Sequence, residues 1–221
     1  MDNVYNDDPI HAAANHLALK IKDRLASGQR VVWLLSGGSG IQAVLDTCTL
    51  LAGSDLRNLY VTLSDERYGP VGHPDENWQQ LLDGGMQLPS ANLYRPLTGD
   101  DIVTTCDTFG AWIMQQMEAA DYTIGLFGLG SDGHTAGIKP GSSAVTATAW
   151  AEHFVGEDFE RITMTPFAVS QVDEIVVQAS GDDKLPMLRR LLYETLDATE
   201  QPAQILKTVA KCTLYTDNEE V

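Results

Sequence analysis

Cations are scarce in this chain of 221 residues: 14 lysines and arginines stand against 31 aspartates and glutamates, a formal net charge of −17. That balance argues against nucleic acid or an anionic membrane surface as a partner, since both are held by basic faces. A small anion would need a local cationic pocket, which makes the position of each basic residue informative. Cysteine is nearly absent, and Cys48, Cys106 and Cys212 are far apart and odd in number. This argues against a disulfide framework and against a cysteine metal site, and it suits a reducing, cytoplasmic location. No apolar run approaches the roughly 18 residues that span a bilayer. The opening "MDNVYNDDPIHAAANHLALK" has no cationic start leading into an apolar core, so no signal peptide is expected. The histidines at positions 11, 16, 73, 134 and 153 lack compact ligand spacing, so no metal is expected.

What the chain does have is alternation. In "DPIHAAANHLALKIKDRLASG" apolar residues recur at helical spacing, with Asp8 as N-cap, Pro9 at the first helical position and Gly28 as the stop. "RVVWLL" reads as a buried strand, "SGGSG" as a tight turn and "IQAVLDTCTLLAG" as a helix. "LYVTL", "YTIGLFGLG", "AWAEHFVG", "RITMT" and "EIVVQASG" are further strands. "WQQLLDG", "TTCDTFGAWIMQQMEAA", "PFAVSQV" and a long "DDKLPMLRRLLYETLD" are helices, the last despite its internal Pro186, and "KCTLYT" is a closing edge strand. Strands alternating with helices predict an α/β fold, a mainly parallel, Rossmann-like sheet with helices on both faces and a short antiparallel edge strand. With 43% hydrophobic residues and no linker, repeat or break in composition, residues 1–221 are expected to form one domain.

In such folds, ligands bind beyond the carboxyl ends of the strands, where the strand order reverses. Three polar loops follow predicted strands here: "SGGSG", "SDERYGPVGHPDEN" and "GLGSDGHTAGIKPG". In the first, Ser36, Gly37, Gly38 and Ser39 precede a helix start, where free amide groups and the helix dipole favour an anion; a plain tight turn is the alternative. In the second, Asp65, Glu66 and Arg67 follow directly on a strand, with His73 and Asn77 in the same loop. In the third, Asp132 and His134 flank Gly133, a spacing that directs both side chains into one cleft. Histidine titrates near neutrality and moves protons without a cofactor. Two further cations, Arg161 and Lys184, stand at the start of "RITMT" and in the first turn of the last long helix.

Taken in order, "LLSGGSG", "SDERYGPVGHPDEN", "GLGSDGHTAGIKPGS", "ERITMT" and "GDDK" resemble the signatures of 6-phosphogluconolactonases, which share a fold with glucosamine-6-phosphate deaminase/isomerases. The resemblance runs from about Val31 to at least Lys184 and implies a cytosolic, cofactor-free enzyme of the pentose phosphate pathway. Such an enzyme hydrolyses 6-phosphoglucono-δ-lactone, a small sugar-phosphate lactone, to 6-phosphogluconate. It also implies roles: His134 as general base, Asp132 orienting it, Asp65 and Arg67 at the lactone end, and Ser36, Gly37, Gly38, Ser39, Arg161 and Lys184 on the phosphate. Oligomeric state stays open between monomer and small homo-oligomer.

The chain departs from the family pattern at three places. Gly40 and Ile41 replace the usual threonine and proline after "SGGS". Glu76 replaces the serine of "HPDSN", adding a negative charge near an anionic substrate. Gly137, Ile138 and Lys139 alter the loop after the histidine, Lys139 serving as a replacement cation or facing water. The related deaminases have a glutamate where this chain has Lys139 and "DEY" where it has "DER", which ranks amino-sugar-phosphate deamination second. A non-catalytic sugar-phosphate sensor on the same fold is the third reading.

Overall fold

The computed structural model describes residues 1–221. Strand β2 (Val31–Leu35) shows how the centre forms: all five residues are apolar and fully buried. Val31, Trp33 and Leu35 enter one core and Val32 and Leu34 the other. A period of two with both faces apolar is what a parallel strand covered on both sides requires.

Around it stand β1 (Asp2–Tyr5), β3 (Leu59–Leu63), β5 (Asn92–Leu93), β6 (Tyr122–Gly128), β9 (Glu174–Ala179) and β10 (Lys211–Thr216). With β2 they make a seven-stranded sheet in the order β1-β10-β9-β6-β2-β3-β5, every neighbouring pair parallel. Helices α1 (Pro9–Ala26), α2 (Ile41–Leu51) and α3 (Asn77–Asp83) cover one face. Helices α4 (Ile102–Ala119), α5 (Pro166–Ser170) and α6 (Leu185–Tyr193) cover the other. Helix starts follow local chemistry, as expected for Asp8, whose side chain accepts the His11 amide ahead of Pro9. Thr165 does the same for the Ala168 amide ahead of Pro166.

Five elements differ from expectation, the simplest being the two-residue β5, for which no strand is expected. "KCTLYT" is β10, but it runs parallel and interior, because α6 and a 3-10 turn at Pro202–Thr208 form a crossover long enough for a parallel return. Its outer side is taken by β1, a strand not anticipated from "DNVY". Asp65–Arg67 is not loop but strand β4, which joins β8 (Glu160–Met164) and β7 (Ala151–Val155) in a separate antiparallel sheet. The antiparallel pairing therefore lies beside the main sheet and not at its edge. The last helix is shorter than expected: residues 182–184 form a 3-10 turn, and Pro186 lies in the first turn of α6, where its missing N–H costs nothing.

Candidate active site

Chain order along the sheet reverses next to β2, with β3 and β5 on one side and β6, β9 and β10 on the other. The loops after β2 and β6, the short β4 after β3, and the turn after β9 all leave the same ends of these parallel strands. They enclose a cleft of about 290 Å³. Every residue expected at the site lines it except Asp132, which stands behind His134.

In the loop after β2, the amides of Gly38 and Ser39 have no partner within the chain, and no side chain caps the start of α2. Donors at such a position attract an anion. Gly37 allows a close approach: a Cβ there would lie 2.2 Å from Asn77 Cγ. Asn77 opens α3, donates from Nδ2 to the Asp65 carbonyl at 3.2 Å, and has its buried Oδ1 unpaired. Glu66, beneath it, accepts from the amides of Arg67, Asn77 and Trp78 at 2.7, 2.7 and 3.0 Å and so ties β4 to α3. Burial pushes its carboxyl up to about 8, against those three donors.

The loop after β6 brings a histidine against a carboxylate. His134 Nδ1 lies 2.5 Å from Asp132 Oδ1, and the same oxygen accepts the His134 amide at 3.1 Å. The hydrogen bond from His134 holds the Asp132 carboxyl well below the usual range. Nε2 of His134 has no partner in the chain and the residue lines the cleft. Gly130 makes this pair possible, because a Cβ there would stand 2.1 Å from His134 Nδ1 and 2.6 Å from Asp132 Oδ1. Ala136, next on the cleft wall, takes a positive φ of 48°, a strained conformation held by the Gly137 amide bonding Thr163 Oγ1 at 3.0 Å.

The small sheet supplies the opposite wall. Pairing of β4 with β8 sets Arg67 directly across from Arg161. Two like charges in that register repel unless an anion lies between them. The Phe159 ring takes part of the load, its centroid 4.6 Å from the Arg67 guanidinium carbon and 5.5 Å from that of Arg161. Arg67 reaches the loop after β2: its Nη2 would stand 4.0 Å from a Cβ at Gly38. Arg161 is buried, with Nη1 3.9 Å from Asp65 Oδ2 and Nη2 2.8 Å from Asp158 Oδ2. Burial pushes the Asp65 carboxyl up, opposed by Arg161 and His134. Lys184 precedes α6, with Nζ 3.2 Å from Asp183. The Nε atoms of Arg67 and Arg161, like Asn77 Oδ1, are buried without a partner. Unpaired polar atoms converging on one cleft mark the place of a polar ligand. No group of three or more histidines, cysteines or carboxylates comes together as a metal site.

Residues 5–215 match the family model described as glucosamine-6-phosphate isomerases/6-phosphogluconolactonase. The chain belongs to this family. A 6-phosphogluconolactonase from Mycobacterium leprae is 27% identical over 193 residues, covering 79% of this chain and 78% of that one. A glucosamine-6-phosphate deaminase from a Geobacillus strain is 25% identical over 186 residues, covering 76% and 72%. The crystal structure of a 6-phosphogluconolactonase from Thermotoga maritima shares the fold, with a TM-score of 0.83 at 19% identity, covering 97% of this chain and 98% of that one.

One residue that departs from the family pattern, Glu76, is placed differently from what the sequence suggests. Glu76 does not add charge to the cleft. It is fully buried at the start of α3, held by Arg95 at 2.6 and 2.7 Å and by the Gly72 amide at 2.6 Å. A carboxylate this well paired is turned away from a ligand by its own hydrogen bonds. Lys139 does line the cleft, with Nζ 3.1 Å from Asp158 and 4.0 Å from Asp132. Asn77, Asp158 and Phe159 line it as well, and sequence reasoning assigned none of them a role. For Asn77 a signal existed, since it closes a motif on the cleft; Asp158 and Phe159 lie in a turn between two strands and carry no motif.

Proposed function

We propose that this protein hydrolyses 6-phosphoglucono-δ-lactone to 6-phosphogluconate, with residues 1–221 acting as one cytoplasmic sugar-phosphate-binding unit. The observation that carries the reading is the meeting, in one cleft, of a histidine whose Nε2 is free with Arg67, Arg161, Lys184 and the unpaired amides of Gly38 and Ser39. The phosphate docks on the amides of Gly38 and Ser39, beside Ser36 and Gly37, and on Arg161 and Lys184. Arg67, lying against Gly38 on one side and Phe159 on the other, spans from this end toward the lactone.

His134 Nε2 takes a proton from water, and the hydroxide adds to the lactone carbonyl. The tetrahedral oxyanion faces Arg67; as it collapses, the ring oxygen leaves and takes the proton back from His134. Asp132 keeps the Nδ1 proton in place and stabilises the imidazolium formed in between. Asp65 and the free Oδ1 of Asn77 accept sugar hydroxyls. Fixing the remote phosphate places the carbonyl against the base, so that binding energy is used for orientation.

Lys139 separates this reading from deamination, because the related deaminases have a carboxylate there. Purified protein is tested with freshly made 6-phosphoglucono-δ-lactone, following acid release above the spontaneous rate, and with glucosamine 6-phosphate, following ammonia. Acid release without ammonia is expected; ammonia without acid release would replace the proposal by the deaminase reading.

A further inference from the structure

Asp158 lies in the tight turn between β7 and β8, where the Gly156 amide bonds the Phe159 carbonyl at 2.9 Å. Its Oδ1 accepts the Phe159 amide at 2.9 Å, which fixes the carboxylate. The other oxygen, Oδ2, stands 2.8 Å from Arg161 Nη2 and 3.1 Å from Lys139 Nζ. Partial burial works against ionisation here, but the bonds from Arg161 and Lys139 outweigh it and hold the carboxyl well below the usual range. One carboxylate oxygen thus makes the contacts that a phosphate oxygen would make, on a cation assigned above to the phosphate and on a lysine of the loop after β6.

We propose that Asp158 is a specificity-determining counter-anion, which holds Arg161 and Lys139 together in the free protein and is displaced by the phosphate of the substrate. The inference rests on the sugar-phosphate reading of the cleft. A neutral or singly charged ligand gains too little from two cations to dislodge a carboxylate already fixed between them. A dianion gains enough. The same carboxylate relieves the repulsion between Arg67 and Arg161, which face each other across β4 and β8. It keeps the cation cluster ordered while the cleft is open. Lys139 reaches Asp158 from the histidine loop and Arg161 reaches it from β8, so Asp158 also joins the two walls of the cleft.

The test compares wild type with Asp158→Asn, which keeps an oxygen for the Phe159 amide but loses the charge. Glu157→Gln, an exposed neighbour in the same turn with no contact to either cation, controls for the change in net charge. Calorimetric binding of inorganic phosphate and of 6-phosphogluconate is measured for all three, with melting temperatures as a check of folding. Asp158→Asn is expected to bind both ligands roughly fivefold more tightly, and Glu157→Gln within twofold of wild type. Equal or weaker binding by Asp158→Asn, with wild-type binding intact, would overturn the counter-anion assignment alone, as would equal tightening by Glu157→Gln. Absence of 6-phosphogluconate binding in all three proteins would overturn the reading of the cleft on which it rests.

Discussion

Two histidine–carboxylate pairs in this protein have nearly the same chemistry and opposite surroundings. In the core, His16 of α1 stands 2.7 Å from Glu174 at the start of β9, and its second ring nitrogen is 2.9 Å from the Tyr215 hydroxyl. Tyr122 bonds the other Glu174 oxygen. In the cleft, His134 stands 2.5 Å from Asp132, and its second nitrogen has no partner. The His16 side chain is 14% exposed and that of His134 33%. A saturated pair holds helix to sheet, whereas a half-saturated one leaves a ring nitrogen open to the cleft. On the proposed function, the distinction between structure and catalysis lies in one vacant nitrogen and not in residue type. Glycine decides which pair is which: Gly130 leaves room for His134 to fold back on Asp132, while His16 is set by helical packing.

The largest expected effect follows directly. His134→Gln lowers kcat for lactone hydrolysis by ~10²–10⁴-fold, in steady-state acid release, with little change in melting temperature. Next comes Gly130→Ala, whose methyl group pushes His134 from Asp132; kcat/KM falls ~10–100-fold while the far-UV circular dichroism is unchanged. Arg161→Ala raises KM for the lactone roughly tenfold or more and weakens 6-phosphogluconate binding to match. His16→Gln inverts the pattern: kcat stays within about twofold, but the melting temperature falls by roughly 3–8 °C because Glu174 and Tyr215 lose their partner.

A further effect, on stability and not on turnover, concerns pH. Burial works against ionisation of Glu174, but the bonds from His16 and Tyr122 outweigh it and bring the carboxyl down to about 2 from its ordinary 4.5. A carboxylate with a depressed folded-state pKa contributes stability that is present above the ordinary value and is lost as pH falls through the folded one. Between pH 4.5 and 2, wild type therefore loses roughly 2–3 kcal/mol that Glu174→Gln lacks from the outset. Urea unfolding at a series of pH values checks the difference in slope.

Much of this contrast was legible in the sequence, and the rest was not for physical reasons. The parallel sheet and three of its loops followed from continuous apolar runs ending in glycine-rich polar segments. His134 stood out because glycines surround it. The separate small sheet was hidden because β4 is only three residues, "DER", whose charges read as loop; its strand character comes from pairing with β8, a distant segment. Glu76 was misread because its partner, Arg95, lies far along the chain and has no motif of its own. Asp158 was invisible for a similar reason, since its role comes from Lys139 and Arg161 meeting at one oxygen. His16 looked like any helical polar residue until Glu174 and Tyr215 were placed beside it.

The most direct measurement is acid release from freshly generated 6-phosphoglucono-δ-lactone, corrected for spontaneous hydrolysis, with wild type, His134→Gln and His16→Gln run side by side. Acceleration by wild type and His16→Gln that vanishes in His134→Gln is the predicted result. Near-wild-type turnover by His134→Gln, or an equal loss in His16→Gln, would contradict the assignment of the vacant nitrogen as the base.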